Sequence, residues 1–138
     1  MRKILVTGGA GYIGSHTVVE LIAAGYTPII VDNLCNTSTQ NLDGIEKIVG
    51  KKVKWHNTDC TDKIAMDKVF TEEGKLEGVI HFAAYKAVEE SVQNPQKYYN
   101  NNMGSLEVVL KCMQEYDVKN IIFSSSCTVY GMPDVLPV

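Results

Sequence analysis

An apolar run, Lys3-Ile4-Leu5-Val6, enters the glycine cluster Thr7-Gly8-Gly9-Ala10-Gly11-Tyr12-Ile13-Gly14, and a second apolar run, Ile29-Ile30-Val31, ends on Asp32. Strand, glycine turn, helix, strand and acid are the parts of a dinucleotide-binding βαβ unit, in their proper order. The glycines fit two registers, Gly8-x-x-Gly11-x-x-Gly14 and Gly9-x-Gly11-x-x-Gly14. Either turns the backbone tightly and aims free N–H groups of a helix N-terminus at a pyrophosphate. A glycine turn that serves only close helix–sheet packing is the competing explanation, and the complete frame with its acid argues against it.

The rest of the chain repeats the alternation. Strand-like runs begin near Lys3, Pro28, Val53, Val79 and Asn120, with helical periodicity between them. In the first helix Ile13, Thr17, Val18, Leu21 and Ile22 share a face, and Gly25 is a C-terminal stop. Asp62 caps a helix whose Ala65, Val69 and Phe70 recur at helical spacing. Leu106, Val109, Leu110 and Met113 mark a long helix from about Ser91 to Tyr116. The predicted fold is α/β: a doubly wound parallel sheet of the Rossmann type with right-handed crossovers, order 3-2-1-4-5-6 and five strands present. Residues 1–138 then read as one dinucleotide-binding domain, interrupted before strand six in Met132–Val138 and lacking a substrate domain. Strand five is left as an apolar edge.

Composition excludes several partners. The chain has 138 residues, with 13 basic against 16 acidic side chains, and a net charge of −3. Without a basic block, nucleic acid and anionic membranes are poor partners, and no segment approaches membrane-spanning length. Met1-Arg2-Lys3 precedes an apolar run too short for a signal peptide, which suits a cytoplasmic protein. Cys35, Cys60, Cys112 and Cys127 form no C-x-x-C pair, so reduced thiols are expected and no metal site is assigned.

Candidate ligand contacts cluster at the strand ends. Asp32, 18 residues beyond Gly14, can accept from both adenosine ribose hydroxyls and would repel a 2′-phosphate, which favours NAD over NADP. Asp59 could meet an adenine edge or be a loop cap. Strand four ends in His81-Phe82-Ala83-Ala84-Tyr85-Lys86, whose small residues let a ligand lie against the backbone. Lys86 could face a diphosphate, although a lone loop lysine is more often solvated. His81 reads as a packed strand residue, and His16 and His56 carry no pattern. Ser124-Ser125-Ser126 ends strand five, with no histidine or acid placed to activate a serine nucleophile. Asn100-Asn101-Asn102 could brace backbone around the crevice or form a polar patch. Glu72-Glu73 and Glu89-Glu90 read as solvated charge.

Taken together, the glycine turn through His16, Asp32-Asn33-Leu34-Cys35-Asn36, His81-Phe82-Ala83, Lys86-Ala87-Val88-Glu89-Glu90-Ser91-Val92 and Ser124–Gly131 resemble the UDP-glucose 4-epimerase family. This is a branch of the extended short-chain dehydrogenases/reductases. The first and last segments are shared with nucleotide-sugar dehydratases and decarboxylases; those at Asp32–Asn36 and Lys86–Val92 are more specific. The resemblance implies bound NAD, a UDP-sugar substrate and a homodimer. It implies interconversion of UDP-glucose and UDP-galactose, in galactose metabolism, by transient oxidation at sugar C4, with a tyrosinate taking the O4 proton. It places Gly8, Gly11, Tyr12, Ile13, Gly14, Asp32, Asn33, Asn36, Asp59, Cys60, Phe82, Ala83, Lys86 and Asn101 at cofactor contacts. Ser126 becomes the hydroxyl that steadies the sugar O4, and Cys127 stands where alanine is usual.

One part of the family pattern is missing. The base is a Tyr-x-x-x-Lys pair, and none of the seven tyrosines here has a lysine four residues on. Tyr130 belongs to a Val-Tyr-Gly turn and is no substitute. These residues alone are therefore expected to be inactive. A related nucleotide-sugar decarboxylase or dehydratase, and a non-catalytic NAD-binding module, are the competing functions.

Overall fold

The computed structural model describes residues 2–132 and 134–135. Five parallel strands pair in the order β3-β2-β1-β4-β5. They are β1 (Lys3–Thr7), β2 (Thr27–Asp32), β3 (Lys54–Asn57), β4 (Gly78–His81) and β5 (Ile121–Phe123). Each starts within a residue of its expected place, and the order is the doubly wound one. Six α-helices lie between them: α1 (Tyr12–Ala23), α2 (Gln40–Val49), α3 (Lys63–Glu73), α4 (Val88–Gln93), α5 (Pro95–Tyr98) and α6 (Gly104–Glu115).

Strand alternation explains the two layers. Leu5, Ile29, Val31 and Val79 point to one face, where Met66, Val69 and Phe70 of α3 and Val109, Cys112 and Met113 of α6 cover them. Ile4, Val6, Ile30 and Ile80 point to the other, against Val18 of α1 and Leu42 and Ile45 of α2. Strands buried on both faces read as continuous apolar runs, as β1 and β2 do.

The helix ends follow local chemistry. After α1, Tyr26 N–H donates to Leu21 O at 2.9 Å and Gly25 N–H to Ile22 O at 3.1 Å. This paired closure needs the left-handed Gly25, at φ +81°. Asp62 caps α3 by accepting from Ala65 N at 3.0 Å, as its position predicts.

Two expectations about helices are corrected. Ile13 lies outside the core, half exposed in the first turn of α1, while Gly14 and Val18 are the buried positions. The long helix from Ser91 to Tyr116 is broken into α4, α5, a π turn (Tyr99–Met103) and α6. Asn94 lies outside the helical region at φ −136° and ψ 68°, since Pro95 disfavours a helical residue before it. The Asn94 side chain then accepts from Lys97 N and restarts the helix.

Among the described residues β5 pairs only with β4, and Ile121, Ile122 and Phe123 are exposed. It is the apolar outer strand that the order predicts. Of the segment Met132–Val138, to which the expectation of an interrupted domain attaches, Pro133 and residues 136–138 lie outside the described residues. The side chain of Cys127 does too.

Candidate functional site

In a parallel sheet all the strand C-termini share one edge. Thr7 and Asp32 end their strands at that edge, and Gly8, Asp59, Phe82 and Ala83, and Ser124–Ser126 follow strands there. β1 and β4 are neighbours whose chains continue to opposite faces, so the crevice between their ends is the switch point where ligands bind in such sheets.

The glycine turn interlocks by backbone alone, and its geometry favours the Gly8-x-x-Gly11-x-x-Gly14 register. Gly11 N donates to Gly8 O at 3.0 Å. A Cβ on Gly14 would lie 2.2 Å from that same oxygen, so α1 can approach the turn only without a side chain there. Gly8 has φ +67°, and a Cβ on it would meet Ala83 N at 2.9 Å. Gly9 contributes as well, packing on Ile30 and Val6 O. The first intrahelical bond recorded at the start of α1 is Ser15 N to Gly11 O, and no acid lies in the first turn. The amides of Tyr12, Ile13 and Gly14 are thus the free donors of a helix N-terminus, where an anion is favoured. The Tyr12 and Ile13 side chains are exposed beside them, Tyr12 edge-on to His16.

Asp32 is buried under the turn. Its Oδ2 accepts from Ala10 N at 3.1 Å and its Oδ1 from Leu34 N at 2.9 Å. Each oxygen keeps a second lone pair for a ligand hydroxyl. The loop after β2 is tied to the loop after β3 by Asn33 Nδ2, which donates to Asp59 Oδ2 at 3.0 Å. Burial works against charge on Asp59, but the Thr61 amide and hydroxyl and the Asn33 amide outweigh it and hold its carboxyl below the usual range. Asn36 is exposed on the first of these loops. The Cys60 side chain faces the α3–α6 core instead of the crevice, so contact with a ligand there falls to its backbone. Burial, with the nearby Asp59 and Asp32 charges, pushes its thiol up to about 12.

At the end of β4, His81 is 2% exposed. Its Nδ1 pairs with Thr7 Oγ1 at 2.7 Å, and its ring stacks on Phe123. Burial pushes its pKa down to about 4, so it is a neutral packed residue as expected. Phe82 packs on the α1–α2 core and Ala83 on the other, which leaves the chain between them lying along the crevice. Lys86 is exposed on the following loop. Asn101 donates to Asn102 Oδ1 at 3.0 Å, and Asn102 braces the Tyr85 backbone. Ser126 begins the short 3-10 turn Cys127–Tyr130: its Oγ accepts from Thr128 N at 3.2 Å. The structure therefore gathers the sequence-predicted residues at one edge, except for the Cys60 side chain.

The opposite edge holds a cluster that sequence reasoning missed. Glu73 is not solvated charge: it is 3% exposed. Its Oε1 lies 2.7 Å from both Lys54 Nζ and His56 Nε2, and its Oε2 lies 3.4 Å from Lys3 Nζ. Burial raises its pKa, yet Lys54, His56 and Lys3 outweigh this and hold the carboxyl below its usual value. Glu72, Glu73 and His56 lie close enough to share a cation. The Lys54 ammonium already bridges both carboxylates, at 3.3 Å and 2.7 Å, and supplies that charge. An acid pair at a helix C-terminus opposes the dipole, and that mismatch was the available signal for a facing cation.

Comparison with known proteins agrees with this geometry. The model of the NAD dependent epimerase/dehydratase family matches residues 4–137. A UDP-glucose 4-epimerase of Dictyostelium discoideum is 52% identical over 99% of this chain and 39% of its own length. That of Bacillus subtilis is 50% identical over 98% of this chain and 40% of its own. The crystal structure of the Bifidobacterium longum UDP-glucose 4-epimerase in complex with NAD+ and UDP superposes with a TM-score of 0.94 at 51% identity. It is matched over 99% of this chain and 40% of that one. The chain thus spans about two-fifths of the length of these relatives. With the family model covering nearly every residue and the glycine turn, strand order and Asp32 all in place, the chain belongs to the NAD dependent epimerase/dehydratase family.

Proposed function

We propose that these residues are the NAD-binding portion of an enzyme that interconverts UDP-glucose and UDP-galactose. The observation that carries this is the crevice between β1 and β4, where side-chain-free turn and open helix amides lie beside a buried carboxylate. An anionic pyrophosphate suits the amides of Tyr12, Ile13 and Gly14, and a ribose diol suits Asp32. The half-buried Asp59 and the exposed Asn36 and Lys86 complete the contacts that the sequence resemblance implies. NAD, when bound, supplies the reversible hydride acceptor. The residues of this chain bind and orient. Ser126, whose exposed hydroxyl lies at the end of β5, is the group proposed to hold the sugar O4. The proton-accepting tyrosine and its lysine are not among these 138 residues. The family resemblance adds a UDP-sugar substrate, a homodimer, a cytoplasmic location and a place in galactose metabolism.

Two measurements test the reading. NAD titrated against the purified 138-residue polypeptide, and against a longer polypeptide that carries it through the Tyr-x-x-x-Lys pair, should bind at least to the longer one. UDP-galactose should be converted to UDP-glucose by the longer polypeptide, with the 138 residues alone no better than a no-protein control. Turnover by the 138 residues overturns the assigned base, and a longer polypeptide that holds no NAD overturns the function.

A further inference from the structure

The loop from Phe82 to Ala87 leaves β4 tied to Thr7 through Phe82 N and Ala83 N, and further along it is gripped from outside at Tyr85. Asn102 Nδ2 donates to Tyr85 O at 2.9 Å, and Asn102 Oδ1 accepts from Tyr85 N at 2.8 Å. Both bonds go to one residue, so the side-chain amide reads the backbone of Tyr85 as a donor–acceptor pair and fixes its orientation as well as its place. The same Oδ1 accepts from Asn101 Nδ2 at 3.0 Å. Asn102 is itself anchored: its carbonyl accepts from Ser105 Oγ at 3.2 Å, and Ser105 is buried beside His81. It sits in the π turn Tyr99–Met103, a widened turn of a kind that recurs at functional sites. The Tyr85 ring is held from the same side by Tyr98, and the Lys97 ammonium lies over its face at 4.7 Å.

Tyr85 immediately precedes Lys86, and Asn101 immediately precedes Asn102. We propose that Asn102 is a positioning residue for the cofactor site: it sets the place of Lys86 through the Tyr85 backbone and the direction of the Asn101 amide, without touching the cofactor itself. This rests on the functional reading above, in which Lys86 and Asn101 face NAD. Asparagine is the residue type that the clamp requires. Aspartate keeps the volume and the acceptor but sets a carboxylate against Tyr85 O, and alanine removes both bonds.

The test uses the longer polypeptide and reads NAD affinity. Asn102→Ala should weaken NAD binding about fivefold or more, the scale of one or two lost neutral hydrogen bonds. In a background carrying Lys86→Met and Asn101→Ala, the same change should add less than about twofold, because the groups it positions are gone. Asn102→Asp, nearly isosteric, guards against a variant that fails to fold. Its defect should be full at pH 8 and shrink toward pH 5 as the carboxyl takes up a proton and regains a donor, relative to the unmodified protein. A full, multiplicative effect of Asn102→Ala in the doubly substituted background overturns the proposal alone. So does wild-type affinity in Asn102→Asp at every pH. If the unmodified protein holds no NAD, the functional reading falls and this proposal with it; if the double substitution leaves NAD binding untouched, Lys86 and Asn101 do not hold NAD and the proposal falls while the function stands.

Discussion

Acidification should unfold this protein partly through one buried imidazole. His81 is packed between β1 and α6 with its pKa pushed down to about 4, against 6.5 when it is free. A base whose folded pKa lies below its unfolded one binds more protons in the unfolded chain. Its contribution is therefore complete above the unfolded value and is lost as the pH falls toward the folded value. With these two values the loss is about 2 kcal/mol at pH 5 and about 3 kcal/mol at pH 4, relative to pH 8. Carboxylates such as Glu73 and Asp59 also titrate at the acid end, so the signal must be isolated. Urea unfolding of the unmodified protein and of His81→Asn, from pH 8 to pH 4, does this. Asparagine can keep a hydrogen bond to Thr7 from the Nδ1 position but takes up no proton. Fluorescence of Trp55, the single tryptophan, packed on the α1–α2 core, reports the transition. The stability gap between the two proteins should narrow by about 3 kcal/mol across that range. An NMR titration should find the imidazole neutral down to about pH 4. Parallel stability curves, or an imidazole that titrates near 6.5, would refute the reasoning.

Other substitutions address the two edges of the sheet. Glu73→Gln should cost about 1–3 kcal/mol at neutral pH in urea unfolding, less than a fully buried pair because Lys54 can turn to solvent. The cost should fade as the pH falls below the ordinary carboxylate range, since a depressed pKa adds its full stability above the unfolded value and loses it as the pH falls through the folded one; a pH-independent cost would mean the charge is irrelevant. Gly14→Ala should abolish NAD binding and destabilise by about 1–3 kcal/mol, because its methyl meets Gly8 O; retained binding would show that α1 can slide away. In the longer polypeptide Ser126→Ala should lower kcat by roughly tenfold to a thousandfold, with KM little changed. If Ser124→Ala is the slower enzyme, the wrong hydroxyl of the strand end has been chosen.

What could be read from the chain was local and periodic. The glycine turn, the apolar runs and Asp32 lie within one βαβ unit, and strand alternation carries both faces of the sheet. The break at Asn94–Pro95 was legible in principle from the proline rule, but the apolar period running through Leu106–Met113 masked it. Glu73 was hidden for another reason, and so was the residue that the Asn100–Asn102 run could brace. Lys3 and Glu73 are 70 residues apart, and Asn102 and Tyr85 are 17 apart. Such pairings depend on where the crossovers bring their ends, which no window of sequence displays. His81 was read correctly as packed because its neighbours are apolar, yet its partners Thr7 and Ser105 come from β1 and α6.

For anyone redesigning cofactor choice, the bond from Ala10 N to Asp32 Oδ2 is a constraint. The carboxylate that would reject a 2′-phosphate also props the turn that would hold the pyrophosphate. Selectivity and grip are thus mechanically joined, and a swap to alanine relaxes one while loosening the other. It leaves a buried amide with no acceptor, a penalty of about 1–3 kcal/mol that falls on either dinucleotide. A useful redesign would first retain a neutral acceptor at that spot, as in Asp32→Asn, and then recruit a cation from the adjoining Asn33–Asn36 loop to welcome the extra phosphate. Preference can be traded this way only if the turn is re-propped in the same step.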